Sequence, residues 1–204
     1  FFIVNFIITN RQATHPIVHF HTLFSKKPFV GATMAISSHL TLLTGIAGIN
    51  VYIVRILKLP FDISLHFYFF FFVGVIITGI LKMFFYSSVG AGFLGTLGSS
   101  ALLYVSIHWI ILGNTINIPL LYIQGLLLGF GASMTLVSGS MATLLDGDLK
   151  EAAQRSQTMH TIRNFSAAML IPIIAYTIKN HIQKGTQSIY AENITDKMIY
   201  LKKL

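Results

Sequence analysis

The sequence of 204 residues contains no cysteine and few charged residues. The lack of cysteine excludes disulfides, a thiolate nucleophile and any metal site built on cysteine. Charged residues make up 10% of the chain, whereas a soluble domain carries about 25%. Hydrophobic residues make up 54%, and the mean hydropathy is +0.72. Too few charges remain to cover a water-facing surface, and the composition predicts an integral membrane protein.

Acidic residues are scarce as well, and all six lie outside the long apolar segments: Asp62, Asp146, Asp148, Glu151, Glu192 and Asp196. Proton relays in membrane pumps use an Asp, Glu or His within a span. Two histidines lie within the predicted spans, His39 and His108, and both are candidates for such a relay. His39 lies deeper in its span than His108. The sequence also has no paired catalytic carboxylates, Gly-rich phosphate loop or nucleophile elbow, so we expect neither an enzyme nor a cofactor.

Five apolar segments are predicted to cross the bilayer, whose hydrocarbon core is about 30 Å thick. We expect helices, because backbone groups in hydrocarbon must bond within their own segment. The run Phe1–Thr9 is too short to span, and we expect it to be the end of a span that begins upstream. The predicted fold is an all-α polytopic transmembrane bundle, with a helical domain over 1–178 and a polar tail over 179–204. The five full spans cover about Pro28–Val54, Ser64–Leu81, Gly90–Leu112, Ile118–Leu145 and Asn164–Ile178.

Basic residues outnumber acidic ones by 14 to 6, which gives a net charge of +8. In a soluble protein this excess would indicate nucleic acid, but here the bases lie between apolar segments, as in cytoplasmic loops. When the incomplete run Phe1–Thr9 is counted as the first span, the loops after the second and fourth spans contain only Arg55 and Lys58. The loops after the first, third and fifth spans, which share one side, should therefore be cytoplasmic. Their bases are Arg11, Lys26, Lys27, Lys82, Lys150, Arg155 and Arg163.

One face of the span Pro28–Val54 is polar. At 100° per residue, five small or hydroxyl residues fall within an arc of about 80°: Thr33, Ser37, Thr41, Thr44 and Gly48. Such a face either lines a water-filled path or bonds to a neighbouring helix. Ser37 and Thr41 are therefore candidate pathway residues, together with His39 on another face.

The span Ile118–Leu145 has two small or polar faces. Gly125, Gly129 and Ser133 have the spacing that lets helices approach closely, and Gly95 lies in a similar series, Ala91-x-x-x-Gly95-x-x-x-Ser99, in the preceding span. We interpret both series as packing surfaces. Gln124 and Thr135 share the other face. Gln124 needs a partner or water inside an apolar segment, so both residues are candidates for a cavity, with interhelical bonding as the alternative.

The densest histidine cluster is His15, His19 and His21. Imidazoles at such spacing can bind iron or zinc, and the segment locally resembles membrane di-iron desaturases and hydroxylases. Those enzymes need several histidine boxes, whereas the other histidines here are scattered singly. We predict no metal site and keep a metal-dependent membrane enzyme as a minor alternative.

The order of these features resembles the C-terminal part of a major facilitator superfamily transporter, closest to the 14-helix drug:proton antiporters. His15–Phe29, with its Leu-Phe and basic pair, resembles the cytoplasmic loop that enters helix nine. Pro119–Gly131 resembles the Gly-rich helix twelve. Ala152–Ala168, with its pair Arg163-Asn164, resembles the loop that leads into helix thirteen. The resemblance extends over nearly the whole chain.

The resemblance implies a fragment of a secondary active transporter, a proton-coupled exporter of small amphipathic molecules or drugs that works by alternating access. Its partners would be the lipid bilayer, the small-molecule substrate and an N-terminal half of the same chain, which would carry the coupling carboxylates, and not nucleic acid. A bacterial inner membrane is the expected location. A non-catalytic membrane scaffold or complex subunit is the main alternative, because it also fits the Gly125/Gly129 packing face.

Overall fold

The computed structural model describes residues 5, 8–10, 12–13, 18–23, 25–111, 117–145 and 149–201, without the side chains of 20–21, 149 and 184–201. Most of the predicted truncated span lies outside these residues. The described part contains helices and no strand, which confirms the predicted all-α class. The helices are α1 (Phe20–Leu23), α2 (Lys26–Val51) with a π-helical turn (Tyr52–Ile56), α3 (Phe61–Ile111), α4 (Ile118–Leu145), a 3-10 turn (Leu149–Glu151) and α5 (Ala152–Leu201).

Four helices in the described residues are long and apolar enough to cross a membrane: Lys26–Ile56, Phe61–Ile111, Ile118–Leu145 and Ala152–Gln183. Many of their large apolar side chains are exposed, including Phe69, Ile76 and Ile110, at 62%, 61% and 83%. Apolar side chains that face outward along a helix of this length are suited to lipid and not to water. These features together describe a membrane-embedded protein.

α3 is interrupted at Gly90, where φ is 78° and ψ is 167°. Only glycine adopts this backbone region readily. The interruption divides α3 into a first arm, 61–89, and a second arm, 91–111. Each arm alone is long enough for a bilayer crossing of about 20 residues.

The two arms of α3 pack on α4 in opposite directions. Along the first arm, Phe67 contacts Gly125 and Phe71 contacts Gly129, so the first arm and α4 are parallel. Along the second arm, Leu102 contacts Gly131, whereas Trp109 bonds to Gln124. The second arm is therefore antiparallel to α4, and the chain reverses direction at Gly90. The two arms of α3 thus correspond to two of the five predicted spans.

Two predicted connections are helical instead. The stretch from Lys82 to Val89 belongs to the first arm of α3, so placing Lys82 in a loop was wrong. Its polar residues do not end a helix, whereas the single glycine that follows does. α5 begins at Ala152, so Arg155 and Arg163 lie in a helix and not in the predicted loop.

α4 is the most buried of the four apolar helices. It packs against both arms of α3 and against α2, where Gly139 of α4 meets the backbone of Gly31 and Ala35. Small residues allow this closeness. The core around α4 contains Ile49, Ile53, Phe67, Phe71, Leu102, Val105, Leu121, Leu128 and Ala132.

The chain forms two compact units, Phe1–Ala167 and Ala168–Leu204. The boundary between the two units lies within α5, after Ala167. Composition had predicted the end of the helical domain at residue 178. The backbone remains helical through the polar tail to Leu201, because polarity alone does not end a helix.

Candidate functional site

The polar face of α2 is open along its length. Thr33, Ser37, Thr41, Thr44 and Gly48, called here the hydroxyl stripe, are all exposed. Three of the hydroxyls donate to carbonyls of α2 itself: Thr33 to Phe29 at 2.9 Å, Ser37 to Met34 at 3.3 Å and Thr44 to Leu40 at 2.9 Å. A hydroxyl oxygen keeps acceptor lone pairs after donating. The hydroxyl stripe can therefore still accept hydrogen bonds from a neighbouring molecule or helix.

The other side of α2 makes the helix contacts. Ala32 and Ala35 are buried in a small cluster with Leu23 and Met159. Ser38 is 2% exposed and donates to the carbonyl of Ala132 in α4 at 3.1 Å. α2 is therefore held by its apolar side, and the hydroxyl stripe faces away from these contacts.

A second set of exposed hydroxyls lies on the second arm of α3, and sequence analysis missed it. Thr96, Ser99 and Ser100 are exposed, and each donates to a carbonyl of its own helix at 2.8 to 3.0 Å. At 100° per residue Gly92, Thr96 and Ser99 fall within about 60°. The same periodicity test that revealed the hydroxyl stripe would have found this face.

A cavity of about 760 Å³ opens where the beginning of α2, the Gly90 reversal and the end of α4 meet. Lys26, Lys27, Tyr86 and Thr96 contribute polar side chains to its described lining. Lys26, Gly90 and Leu145 all line the cavity, so the three corresponding ends of the helices lie on one side of the bundle, as the alternating directions of the spans predict.

Gln124 is 1% exposed and is bonded between helices. Trp109 donates from Nε1 to Gln124 Oε1 at 2.7 Å, and Gln124 Nε2 lies 2.8 Å from His108 Nδ1. These partners on the second arm of α3 satisfy both ends of the amide. The structure thus places Gln124 in an interhelical hydrogen-bond network, which was the alternative to a cavity position.

Thr135 and the predicted packing residues lie at helix contacts. Thr135 is 3% exposed and donates to the carbonyl of Gly131 in its own helix. A Cβ built on Gly125 would lie 2.8 Å from the Phe67 carbonyl oxygen, and one on Gly95 would lie 2.7 Å from Met34 Sδ. Gly129 is in still closer contact with Phe71, whereas Ser133 is partly buried.

Lys82 carries a positive charge into the helix bundle. Its Nζ donates to the carbonyls of Ser133 and Met134 in α4, at 3.3 and 2.8 Å. One turn earlier, Thr78 donates to the Phe130 carbonyl at 3.1 Å. Sequence analysis counted Lys82 as a loop charge, although a lysine flanked by apolar residues within a possible span is itself a sign of a buried polar contact.

Arg155 is 1% exposed and binds the end of α4. It donates from Nε to the Thr143 carbonyl and from one terminal nitrogen to the Leu144 carbonyl, both at 3.0 Å. These carbonyls belong to the last turn of α4, where a cation complements the helix dipole. Glu151, in the 3-10 turn that precedes α5, adds an ion pair at 3.7 Å.

Two of the predicted residues, His39 and Arg163, come together on the side of α2 opposite the hydroxyl stripe. His39 is partly buried, and the charge of Arg163 reaches both it and His160. The Arg163 Nε is buried without a hydrogen-bond partner among the described residues. His39 is therefore separate from Ser37 and Thr41.

Only His19 of the histidine cluster has a described side chain; His15 and the imidazole of His21 lie outside the described residues. The backbone N–H of His19 donates to the buried hydroxyl of Thr158 in α5 at 2.9 Å. Within the described part of the chain, no three His, Cys, Asp or Glu residues are grouped closely enough to hold a metal ion.

No family model matches the sequence, and no curated protein or solved structure shows a significant match to the chain.

Proposed function

We propose that this chain forms part of a secondary membrane transporter of the major facilitator type, an exporter of small amphipathic molecules that works by alternating access. The observation that carries the proposal is the hydroxyl stripe, which stays exposed over most of a helix long enough to cross a membrane. A lipid-facing surface needs no row of hydroxyls, whereas a water-filled path does. Ser37 and Thr41 are its central residues.

The packing of α2 supports this assignment. Its other side is occupied by α4 and by the first part of α5, with Ser38 bonded and Ala35 fully buried. The stripe is thus the face left for substrate and for the N-terminal half of the transporter. Gln124 and Thr135 lie at helix contacts, so the proposed pathway does not include them. Proton coupling and a bacterial inner membrane belong to the proposal through the family resemblance.

The absence of native cysteine makes the proposal directly testable. Single cysteines at Ser37 and Thr41 of the full-length protein are treated, in membrane vesicles of both orientations, with a membrane-impermeant maleimide. We expect labelling, because thiolates form in water and not in lipid. Ser38→Cys is a buried control. Ile76→Cys is a control that is exposed at 61% on an apolar face and should not react.

A membrane scaffold or complex subunit is the competing function, because hydroxyl faces also bind neighbouring helices. In that case Ser37→Cys and Thr41→Cys would be as unreactive as Ile76→Cys from both sides. That result would contradict the transporter proposal and favour a partner helix on the stripe.

A further inference from the structure

The cavity at the Gly90 end of the bundle has one basic end and apolar walls. Lys26 and Lys27 are both exposed at its edge, and Tyr86 contributes a phenol. Val30 and Leu145, exposed at 63% and 55%, supply apolar surface. Among the described residues that line the cavity, none is acidic. The described lining therefore combines two basic side chains with a surface suited to hydrocarbon.

The position of the cavity matches the boundary between lipid head groups and acyl chains. Lys26 is the first residue of α2, and Leu145 is the last residue of α4. Both helices are apolar enough to cross a bilayer, so their shared end lies near the membrane surface. Lys82, Arg155 and Arg163 lie in helices, but Lys26, Lys27 and Lys150 remain at the helix ends on this side. Their excess favours the cytoplasmic side, where anionic lipids concentrate.

We infer that this cavity binds one anionic phospholipid, with its phosphate near Lys26 and Lys27 and an acyl chain along Val30, Met141 and Leu145. Basic pockets between transmembrane helices on the cytoplasmic side suit such head groups. A volume of about 760 Å³ lies within the range of small-molecule sites, roughly 300–1,000 Å³. It accommodates a head group and part of a chain. The inference does not rest on the proposed transport function.

The test uses the purified protein in a neutral detergent and native mass spectrometry. Phosphatidylglycerol and phosphatidylcholine with identical chains are titrated separately, and the bound fraction gives an affinity for each. We expect a clear preference for phosphatidylglycerol. In the double variant Lys26→Gln/Lys27→Gln that preference should fall about 25-fold, since each basic residue contributes about 1 kcal/mol and 1.4 kcal/mol is tenfold.

Two further variants separate the cavity from general surface charge. Gly92 lines the cavity, and a Cβ added there meets no atom within 4 Å. Gly92→Phe should therefore fold, keep both lysines and weaken binding of either lipid. Lys58→Gln removes an exposed lysine from the other end of the bundle and should leave the preference unchanged. Thermal unfolding of each variant verifies that it is folded.

Three results would overturn the inference: no preference in the unaltered protein, a preference retained in the double lysine variant, or binding unaffected by Gly92→Phe. Competition with inorganic phosphate distinguishes a lipid site from a site for a free anion. Millimolar phosphate that displaces phosphatidylglycerol would show a site for a free anion and not for a lipid. Lack of displacement is the expected result, because phosphate cannot use the apolar walls.

Discussion

Several buried polar side chains in this protein bond between helices. Arg155 binds the last carbonyls of α4, and Gln124 joins Trp109 to His108. A polar group buried without a partner is costly. These residues are therefore tolerated only because the neighbouring helix supplies the partner. Sequence analysis recognised the problem for Gln124 but counted Arg155 only as a topological charge.

Replacing Arg155 should destabilise the protein more than its ion pair suggests. Arg155→Ala removes a buried cation together with the two hydrogen bonds that it donates. Each hydrogen bond to a charged group contributes about 1.5–3 kcal/mol to stability. We expect a loss of about 3 kcal/mol in the free energy of unfolding, measured by reversible unfolding in mixed micelles.

Glu151→Gln is the matched control for Arg155→Ala. The Glu151 side chain is 44% exposed, and its pair with Arg155 is 3.7 Å long, so the loss should stay below about 1 kcal/mol. Equal losses in the two variants would mean that the ion pair, and not the bonds to Thr143 and Leu144, holds the two helices together.

At the scale of elements, the reversal at Gly90 determines how α3 packs. A polar connection was expected from Lys82 onward, because composition changes there. Composition does not end a helix, whereas a residue held at φ 78° and ψ 167° does. The reversal places the first and second arms on α4 in opposite directions. It also forms one wall of the cavity lined by Lys26.

Gly90→Ala should destabilise the hairpin formed by the two arms. A side chain in this backbone region costs about 1–3 kcal/mol, although a Cβ at Gly90 meets no atom within 4 Å. Thermal unfolding followed by circular dichroism should therefore show a lower midpoint.

Gly79→Ala is the control for Gly90→Ala. Gly79 also has open space around an added Cβ, but it lies within the regular helix of the first arm. Alanine there should stabilise the helix by about 0.5–1 kcal/mol. Equal behaviour of the two alanine variants would show that the conformation of Gly90 imposes no strain.

For the whole molecule, the reversal changes the topology. An uninterrupted α3 could cross the membrane only once, whereas each of its two arms is long enough for a crossing of its own. The ends of the described spans then alternate between two sides, and Ser25 and Ser88 share one side while Lys58 and Asn117 share the other.

Single cysteines at Ser25, Ser88, Lys58 and Asn117, all exposed positions, test this topology. With an impermeant thiol reagent, Ser25→Cys and Ser88→Cys should react from the cytoplasmic side, and Lys58→Cys and Asn117→Cys from the opposite side. Labelling of Ser25→Cys and Ser88→Cys from opposite sides would contradict the hairpin.

The helical class, the location of the apolar segments and the hydroxyl stripe were all predictable from the amino-acid sequence. These features depend on local composition and on a fixed angle of 100° per residue, which need no knowledge of neighbouring helices. The tertiary structure alone decided which polar face is open and which is buried. It left Ser37 exposed, bonded Gln124 to Trp109, and placed Arg155 against the end of α4. Burial and hydrogen bonding depend on residues far apart in the chain, and periodicity within one helix carries no information about them.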